Sequence, residues 1–277
     1  MTGLADFLVI GAMRAGTTTL YDLLRAHPEI DMAREKETDF LIAERGWSRG
    51  RGWYEGQFAQ DGRLRGEVSP NYTKAELFPG VPERAAALMP EARLVFVHRD
   101  PVARVASHYA HARLMRRPVP GPGDMAGSAA LAHMIDVSRY ARQVGAWQAV
   151  YPADRFLFLE FDDLVSAPAV ALARLARFLG VADRWPEVPV ANSEAALARL
   201  PLWLLGARQS AVGRGARRVL SAEARGRLKS AVSRPFAGRT IDTVLPEAVL
   251  AEVAAALEED RAAFAEMLAT AASEGRR

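Results

Sequence analysis

The first feature of this chain that could do chemistry is a short loop bracketed by Gly11 and Gly16. Residues 7–10, Phe-Leu-Val-Ile, predict a buried strand before the loop, and the leucine pattern from Leu20 onward predicts a helix after it. Such a loop can cradle a phosphate, because backbone N–H groups point into it and the helix dipole favours an anion there.

The loop differs from the ATP-binding pattern G-x-x-x-x-G-K-[ST] at one important position. Thr17 stands where the lysine would be, and the nearest cation is Arg14, inside the loop. This substitution favours a phosphate-bearing donor other than ATP.

A second position suited to an anion follows residues 93–97, which predict another buried strand. Arg99 lies at the carboxyl end of that strand, and Ser107 lies two turns into the helix predicted after it. Ligands of open α/β sheets bind at this edge, and a guanidinium fork suits a phosphate. Alone, Arg99 would more often be a structural ion-pair residue, but two such loops at successive strand ends favour an anion-binding site.

Strand and helix patterns alternate along most of the chain, which predicts a mostly parallel sheet with helices on both faces. The predicted strands are 7–10, 64–68, 93–97 and 155–161, and the predicted helices after the first are 82–89, 102–114, 138–150, 169–179 and 246–271. Residues 46–62 predict an irregular segment, and residues 118–127 predict a mobile loop. We interpret residues 1–277 as one domain, with a nucleotide-binding core over about 6–180 and a basic helical part over about 190–277 that completes the cleft.

The composition narrows the class of protein. The chain has 277 residues and no cysteine, which excludes disulfides, thiolate metal sites and cysteine nucleophiles. The first predicted strand lies close to Met1, and no apolar run approaches the ~20 residues of a membrane span. We therefore expect no signal peptide, no transmembrane helix and a cytoplasmic location.

The net charge of +3 is unevenly distributed. Between residues 199 and 239 the chain carries ten basic side chains and a single acid, Glu223. This segment is either a solvated helical face or a surface for an anionic donor, an acidic acceptor or membrane headgroups. Nucleic acid is disfavoured, because no aromatic interleaving or recognised binding module accompanies the charge.

Together these motifs resemble sulfotransferases that use 3′-phosphoadenosine 5′-phosphosulfate (PAPS). Residues 11–18 resemble their 5′-phosphosulfate loop, and residues 99–107 resemble their 3′-phosphate motif. Further similarity lies at residues 36–40, 67–72, 140–147 and 160–164. The resemblance covers about residues 7–180 and is nearest to the bacterial and carbohydrate-type branch, which includes the heparan sulfate sulfotransferases. It implies a P-loop NTPase-like, three-layer α/β fold.

The resemblance also implies how the donor would be held. Arg14 matches the loop cation that neutralises the leaving phosphate, and Arg99 and Ser107 match the residues that hold the 3′-phosphate. The residues that would complete the 5′-phosphate site are Ala15, Gly16, Thr17, Thr18 and Thr19.

On the acceptor side, Glu37 matches the glutamate that removes the proton of the acceptor hydroxyl. Without the other motifs, Glu37 would be read as an exposed acid beside Lys36. Val68 stands where several heparan-type members carry a lysine, so a second catalytic cation could be absent at that position. Asp39 stands where a histidine or glutamine is common, and it could orient the acceptor or cap a helix.

The sequence therefore predicts an enzyme that moves a sulfuryl group from PAPS to a hydroxyl, less often an amine, of a saccharide or glycolipid acceptor. The product would be 3′-phosphoadenosine 5′-phosphate (PAP), and no metal is expected. Two other functions stay open. One is a P-loop kinase or nucleoside-triphosphate enzyme with a degenerate loop, and the other is a non-catalytic nucleotide-binding protein.

Overall fold

The computed structural model of the chain describes residues 3–186 and 242–274, which group into two compact units. The first unit comprises residues 3–104, 135–186 and 254–274, and the second comprises residues 105–134 and 242–253. The basic segment 199–239 lies outside the described residues, as does most of the predicted helical part 190–277. The interpretation of the whole chain as one domain stays a prediction.

The first unit is built on a sheet whose strands in the described residues follow the order β2-β3-β1-β4-β5. The strands are β1 (Phe7–Gly11), β2 (Ile30–Met32), β3 (Leu64–Val68), β4 (Arg93–His98) and β5 (Phe156–Glu160). All four neighbouring pairs are parallel, and β1 is buried on both faces, as expected for strands covered by helices on both sides. The predicted α/β fold is confirmed. The sequence did not predict β2, because three residues are too few to show a period.

The register brings the carboxyl ends of three strands to one edge of the sheet. Val9 of β1 lies opposite Val68 of β3 on one side and Val95 of β4 on the other. The pairing of β1 with β4 shifts between Val9 and Gly11, where β1 ends. Residues that follow β3, β1 and β4 are therefore neighbours in space, although β1 ends 57 residues before the end of β3 and 87 residues before the end of β4.

The helices follow the predicted alternation. They are α1 (Thr17–Ala26), α2 (Arg51–Glu55), α3 (Val81–Leu88), α4 (Pro101–Leu114), α5 (Ala129–Asp136), α6 (Tyr140–Gln148), α7 (Phe161–Ser166), α8 (Pro168–Leu179) and α9 (Glu247–Glu274). Each predicted helix is present with ends shifted by at most three residues. Residues 46–62, predicted to be irregular, contain a 3₁₀ turn (Trp47–Arg49) and the short helix α2, whose five residues are too few to show a helical period.

An aromatic cluster joins α9 to the sheet. The ring of Phe264 lies 5.3 Å from that of Tyr140 in α6 and 6.0 Å from those of Phe96 in β4 and Phe158 in β5. All four side chains are buried, so α9 completes the core beneath the strands that carry the predicted site.

The second unit includes most of α4 and α5 and the segment predicted to be a mobile loop, residues 118–127. In that segment a 3₁₀ turn forms at Pro122–Asp124. Tyr109 donates its hydroxyl to the carbonyl oxygen of Pro120 at 3.2 Å, and Gly127 donates its N–H to Glu252 at 3.3 Å. Across the described residues, none of the helices combines the length and hydropathy that a membrane span requires.

Candidate active site

The predicted phosphate loop lies where β1 ends and α1 begins. Gly11 has no room for a side chain, because a Cβ there would lie 2.5 Å from Thr73 Oγ1 and 2.6 Å from the ring of Phe96. The next residue, Ala12, donates its N–H to the carbonyl oxygen of Val97 at 2.6 Å. The start of the loop is therefore fixed against β4.

Two left-handed residues shape the loop itself. Arg14 has a φ of 73° and Gly16 a φ of 82°, and a Cβ on Gly16 would lie 2.9 Å from the ring of Phe161. Backbone of this kind turns successive N–H groups toward one concave side, which suits an anion. The remaining predicted loop residues are buried or half-buried: Ala15, Thr17, Thr18 and Thr19.

The structure brings Arg99 against this loop. Arg99 follows β4 directly, and its Nη1 donates to the carbonyl oxygen of Arg14 at 3.3 Å. Its guanidinium lies 4.9 Å from the ring centroid of Phe161, a cation–π contact that orients the planar fork. The first motif and the start of the second thus meet at one edge of the sheet.

A third arginine, Arg104, lies in the interior of this edge. It belongs to the second motif, but no role was predicted for it from the sequence. Burial, helped by the positive charges of Arg14 and Arg99, lowers the pKa of Arg104 to about 10, while Tyr140 opposes the shift. A pKa of about 10 leaves Arg104 charged at neutral pH. Three guanidinium groups therefore give this edge a positive potential that favours a multiply charged anion.

Ser107 lies in α4, six residues after Pro101, and is buried. At 1.5 Å per residue this places it about 9 Å along the helix axis from the first residue of α4. Ser107 falls in the second unit. Its role at the 3′-phosphate stays a prediction.

The predicted base, Glu37, lies in the loop after β2 and is exposed. Its N–H donates to the carbonyl oxygen of Val68 at 3.0 Å, which fixes it at the end of β3, next to β1. Its φ is 63°, an uncommon value for a non-glycine residue and one that often marks a functional position. Lys36 contacts Glu37 Oε1 at 2.8 Å.

A buried carboxylate, Glu67, holds the loop that carries Glu37. Glu67 accepts hydrogen bonds from Ser69 Oγ at 2.7 Å, from the hydroxyl of Tyr72 at 2.8 Å, and from the hydroxyls of Thr38 and Tyr54. Burial raises the pKa of Glu67, and these hydrogen bonds offset part of that effect. Because Thr38 directly follows Glu37, the cluster ties the predicted base to β3.

The sequence suggested two roles for Asp39, and the one at the acceptor stays a prediction. Both of its carboxylate oxygens accept from Asn71 Nδ2 at 3.0 Å, and it forms an ion pair with Arg45. It caps no helix, because the next helical turn begins at Trp47. Asp39 is a buried link between the Glu37 loop and the turn after β3.

The site combines a cationic phosphate loop with an exposed carboxylate at the ends of adjacent parallel strands. Such an edge can bind an anionic donor and accept a proton from a second substrate. Within residues 3–186 and 242–274, no cluster of three His, Asp or Glu residues could hold a metal ion. The expectation that the reaction needs no metal stays a prediction.

Comparison with known proteins agrees with this geometry. The family model described as "Sulfotransferase domain" matches residues 4–189. Over 187 residues the chain is 31% identical to heparan sulfate glucosamine 3-O-sulfotransferase 6 of Mus musculus. The alignment covers 63% of this chain and 52% of that protein. It is 29% identical over 198 residues to bifunctional heparan sulfate N-deacetylase/N-sulfotransferase 3 of Homo sapiens, with coverages of 64% and 22%. The chain thus spans about half the length, or less, of these curated relatives.

A solved structure supports the fold. The sulfotransferase from Alicyclobacillus acidocaldarius superposes with a TM-score of 0.56 at 20% identity, covering 92% of this chain and 94% of that one. This likeness confirms the predicted P-loop NTPase-like arrangement of a parallel sheet flanked by helices. The matched residues 4–189 include the phosphate loop, Glu37, Arg99 and Ser107. The chain belongs to the PAPS-dependent sulfotransferase family.

Proposed function

We propose that this protein transfers a sulfuryl group from PAPS to a hydroxyl of a saccharide acceptor. One observation carries the proposal: Glu37, the phosphate loop and Arg99 follow or adjoin the ends of β3, β1 and β4, which are neighbours in the sheet. A base therefore flanks the loop on one side, and a second phosphate ligand flanks it on the other.

The donor would be held by both motifs. Arg14 and the N–H groups around Gly16 bind the 5′-phosphate, and they stabilise the charge that develops there as the bond to sulfur breaks. Arg99, with Ser107, binds the 3′-phosphate, the group that distinguishes this donor from ATP. The positive potential reinforced by Arg104 favours the more highly charged nucleotide.

In the reaction, Glu37 accepts the proton of the acceptor hydroxyl. The hydroxyl oxygen then forms a bond to sulfur as the bond between sulfur and the 5′-phosphate oxygen breaks. PAP leaves with that electron pair. A positioned base of this kind contributes about 10²–10⁴-fold to the rate.

The saccharide acceptor is proposed from the relatives, whose names specify heparan sulfate and its glucosamine. An exposed Glu37 agrees with a bulky acceptor that approaches from solvent. We further propose that the basic segment 199–239 binds an anionic acceptor.

The donor is tested by calorimetry with PAP, ATP–Mg²⁺ and 5′-AMP. We expect PAP to bind most tightly, and at about one hundred times its Kd to stabilise the fold by ~2.7 kcal/mol. Arg99→Ala should weaken the binding of PAP strongly and the binding of 5′-AMP much less, because 5′-AMP lacks the 3′-phosphate. A preference for ATP–Mg²⁺ would instead favour the kinase alternative and overturn the proposal.

The base is tested with Glu37→Gln, and Glu35→Gln serves as the matched control. Glu35 lies two residues away, is exposed and pairs with Arg49, so its substitution removes the same charge from the same loop. We expect Glu37→Gln to lower kcat about 10²–10⁴-fold with PAPS and a heparan sulfate oligosaccharide, without changing PAP affinity. Equal activity of the two variants would refute the role of Glu37.

A further inference from the structure

Lys74 is a buried lysine whose ammonium contacts the phosphate loop and the turn after β3. It follows the 3₁₀ turn Pro70–Thr73 at the end of β3. Its Nζ lies 3.5 Å from the sulfur of Met13, the residue before Arg14, and donates to Asn71 Oδ1 at 2.6 Å. Lys74 is 8% exposed, so its ammonium has lost most of its hydration.

The contacts of this ammonium do not compensate its charge. An amide oxygen is neutral, and a thioether sulfur is only a weak acceptor. In the part of the chain that the structure describes, no carboxylate forms an ion pair with Lys74. A buried charge without a counter-ion is costly, and the cost falls when an anion binds beside it.

The charged groups around Lys74 also favour an anion beside its ammonium. Burial, helped by the positive charges of Arg104 and Arg45, lowers the pKa of Lys74 to about 8. Glu37 and Asp39 act in the opposite direction but only partly offset these effects. The group is therefore near its titration midpoint at mildly alkaline pH, where a bound anion would promote its protonation.

We propose that Lys74 is a second catalytic cation, which contacts the oxygens of the sulfuryl group as it passes from donor to acceptor. The inference rests on the proposed function, since it assumes that PAPS occupies the phosphate loop. Lys74 neither gives nor takes a proton in this step. Its ammonium offsets the negative charge on the sulfuryl oxygens while Glu37 holds the proton of the acceptor, as preorganised donors do in other transfer reactions.

The position of Lys74 relative to the two loops supports this assignment. The sulfuryl group must lie between the 5′-phosphate at Arg14 and the acceptor oxygen at Glu37. The ammonium contacts the residue before Arg14 and interacts electrostatically with Glu37. Through Asn71, whose amide also binds Asp39, Lys74 is held in this position by the turn after β3.

Binding measurements test the proposal independently of turnover. Calorimetry with PAPS and with PAP would be done on the wild type, Lys74→Met and Lys74→Arg at about pH 8. We expect Lys74→Met to lower the affinity for PAPS about tenfold and the affinity for PAP less than about twofold, because only PAPS carries the sulfuryl group. In buffers of different ionisation enthalpy, PAPS binding to the wild type should take up protons, and this uptake should be absent in both variants.

Kinetics provide the second measurement. With PAPS and a heparan sulfate oligosaccharide, Lys74→Met should lower kcat about 100-fold. The basic limb of the kcat/KM profile near pH 8 should disappear in Lys74→Met. Lys74→Arg should recover part of the activity and shift this limb to higher pH, because a guanidinium stays protonated.

The outcomes separate the two proposals. If the wild type binds neither PAPS nor PAP, the proposed function fails and the role of Lys74 fails with it. If the wild type binds both, but Lys74→Met changes neither the ratio of the two affinities nor the pH profile, only the role of Lys74 is refuted. Equal losses of PAPS and PAP affinity would likewise refute it, because they would show a structural role.

Discussion

At the scale of single residues, Gly16 shows how tightly the phosphate loop is constrained. Its φ of 82° is one that residues with side chains rarely adopt, and a Cβ there would lie only 2.9 Å from the ring of Phe161. The same ring contacts the guanidinium of Arg99. A side chain at Gly16 would therefore disturb the phosphate loop and Arg99 together.

We expect Gly16→Ala to lower the free energy of unfolding by about 1–3 kcal/mol and to weaken PAP binding. The matched control is Gly52→Ala in α2, where no atom lies within 4 Å of the added Cβ. That change should be neutral or stabilising by about 0.5–1 kcal/mol. Urea unfolding and PAP calorimetry check both variants, and equal stability of the two would contradict the steric argument.

The buried Glu67 allows a second prediction at this scale. Glu67→Gln replaces one accepting oxygen with an N–H donor that faces hydroxyl donors, so we expect a loss of about 2 kcal/mol of unfolding free energy. Glu83→Gln, an exposed change in the first turn of α3, should cost less than about 1 kcal/mol. Because burial raises the folded pKa of Glu67, its contribution to stability is greatest at low pH and is lost as the pH rises through that pKa.

The direction of this pH dependence can be measured by unfolding experiments at several pH values. The difference in unfolding free energy between the wild type and Glu67→Gln should decrease as the pH rises from 4.5, the ordinary pKa of this carboxyl, through the higher pKa that it has in the fold. An increase over that range would mean that the pKa of Glu67 is lowered in the fold, in conflict with its burial.

The residues that could be predicted from the sequence are marked by their immediate neighbours in the chain, whereas the others depend on residues far away in sequence. Gly11 and Arg99 follow runs of apolar residues, and Gly16 precedes a helical leucine pattern, so local pattern and residue type suffice to identify them. Glu67 and Asn71 acquire their roles from Thr38 and Asp39, which lie 29 and 32 residues away. No local pattern marks such pairs, since the fold alone brings them together.

At the scale of elements, α9 supplies a cap that α6 lacks. The residue before α6, Arg139, makes no capping hydrogen bond with its side chain. The first-turn N–H groups of Ala141 and Arg142 instead donate to the carboxylate of Asp260 in α9, at 3.1 and 3.0 Å. One carboxylate therefore satisfies the start of α6 and joins two helices that are distant in sequence.

We expect Asp260→Ala to lower the free energy of unfolding by about 1 kcal/mol, as the loss of an N-terminal cap does. Glu259→Ala is the matched control, because Glu259 is the exposed neighbour of Asp260 in the same helix. Its effect should stay within about 0.5 kcal/mol. Thermal unfolding compares the two variants, and equal stabilities would show that the contact with α6 adds nothing.

At the scale of the whole molecule, the core that supports the site extends beyond the matched family region. The match ends at residue 189, but Phe264 packs against Phe96 of β4 and Phe158 of β5. β4 is the strand that leads to Arg99. The sheet that presents the predicted donor site therefore depends on a helix from the C-terminal part of the chain.

The last prediction follows from this dependence. Phe264→Ala should lower the free energy of unfolding by about 3–5 kcal/mol, because a buried aromatic side chain is lost and a cavity is left. Phe264→Leu, which keeps most of the volume, should cost clearly less. Because Phe264 contacts no predicted donor ligand, PAP affinity of the folded variants should stay near that of the wild type. Urea unfolding with PAP calorimetry checks this, and an Ala variant as stable as the wild type would show that α9 is not part of the core.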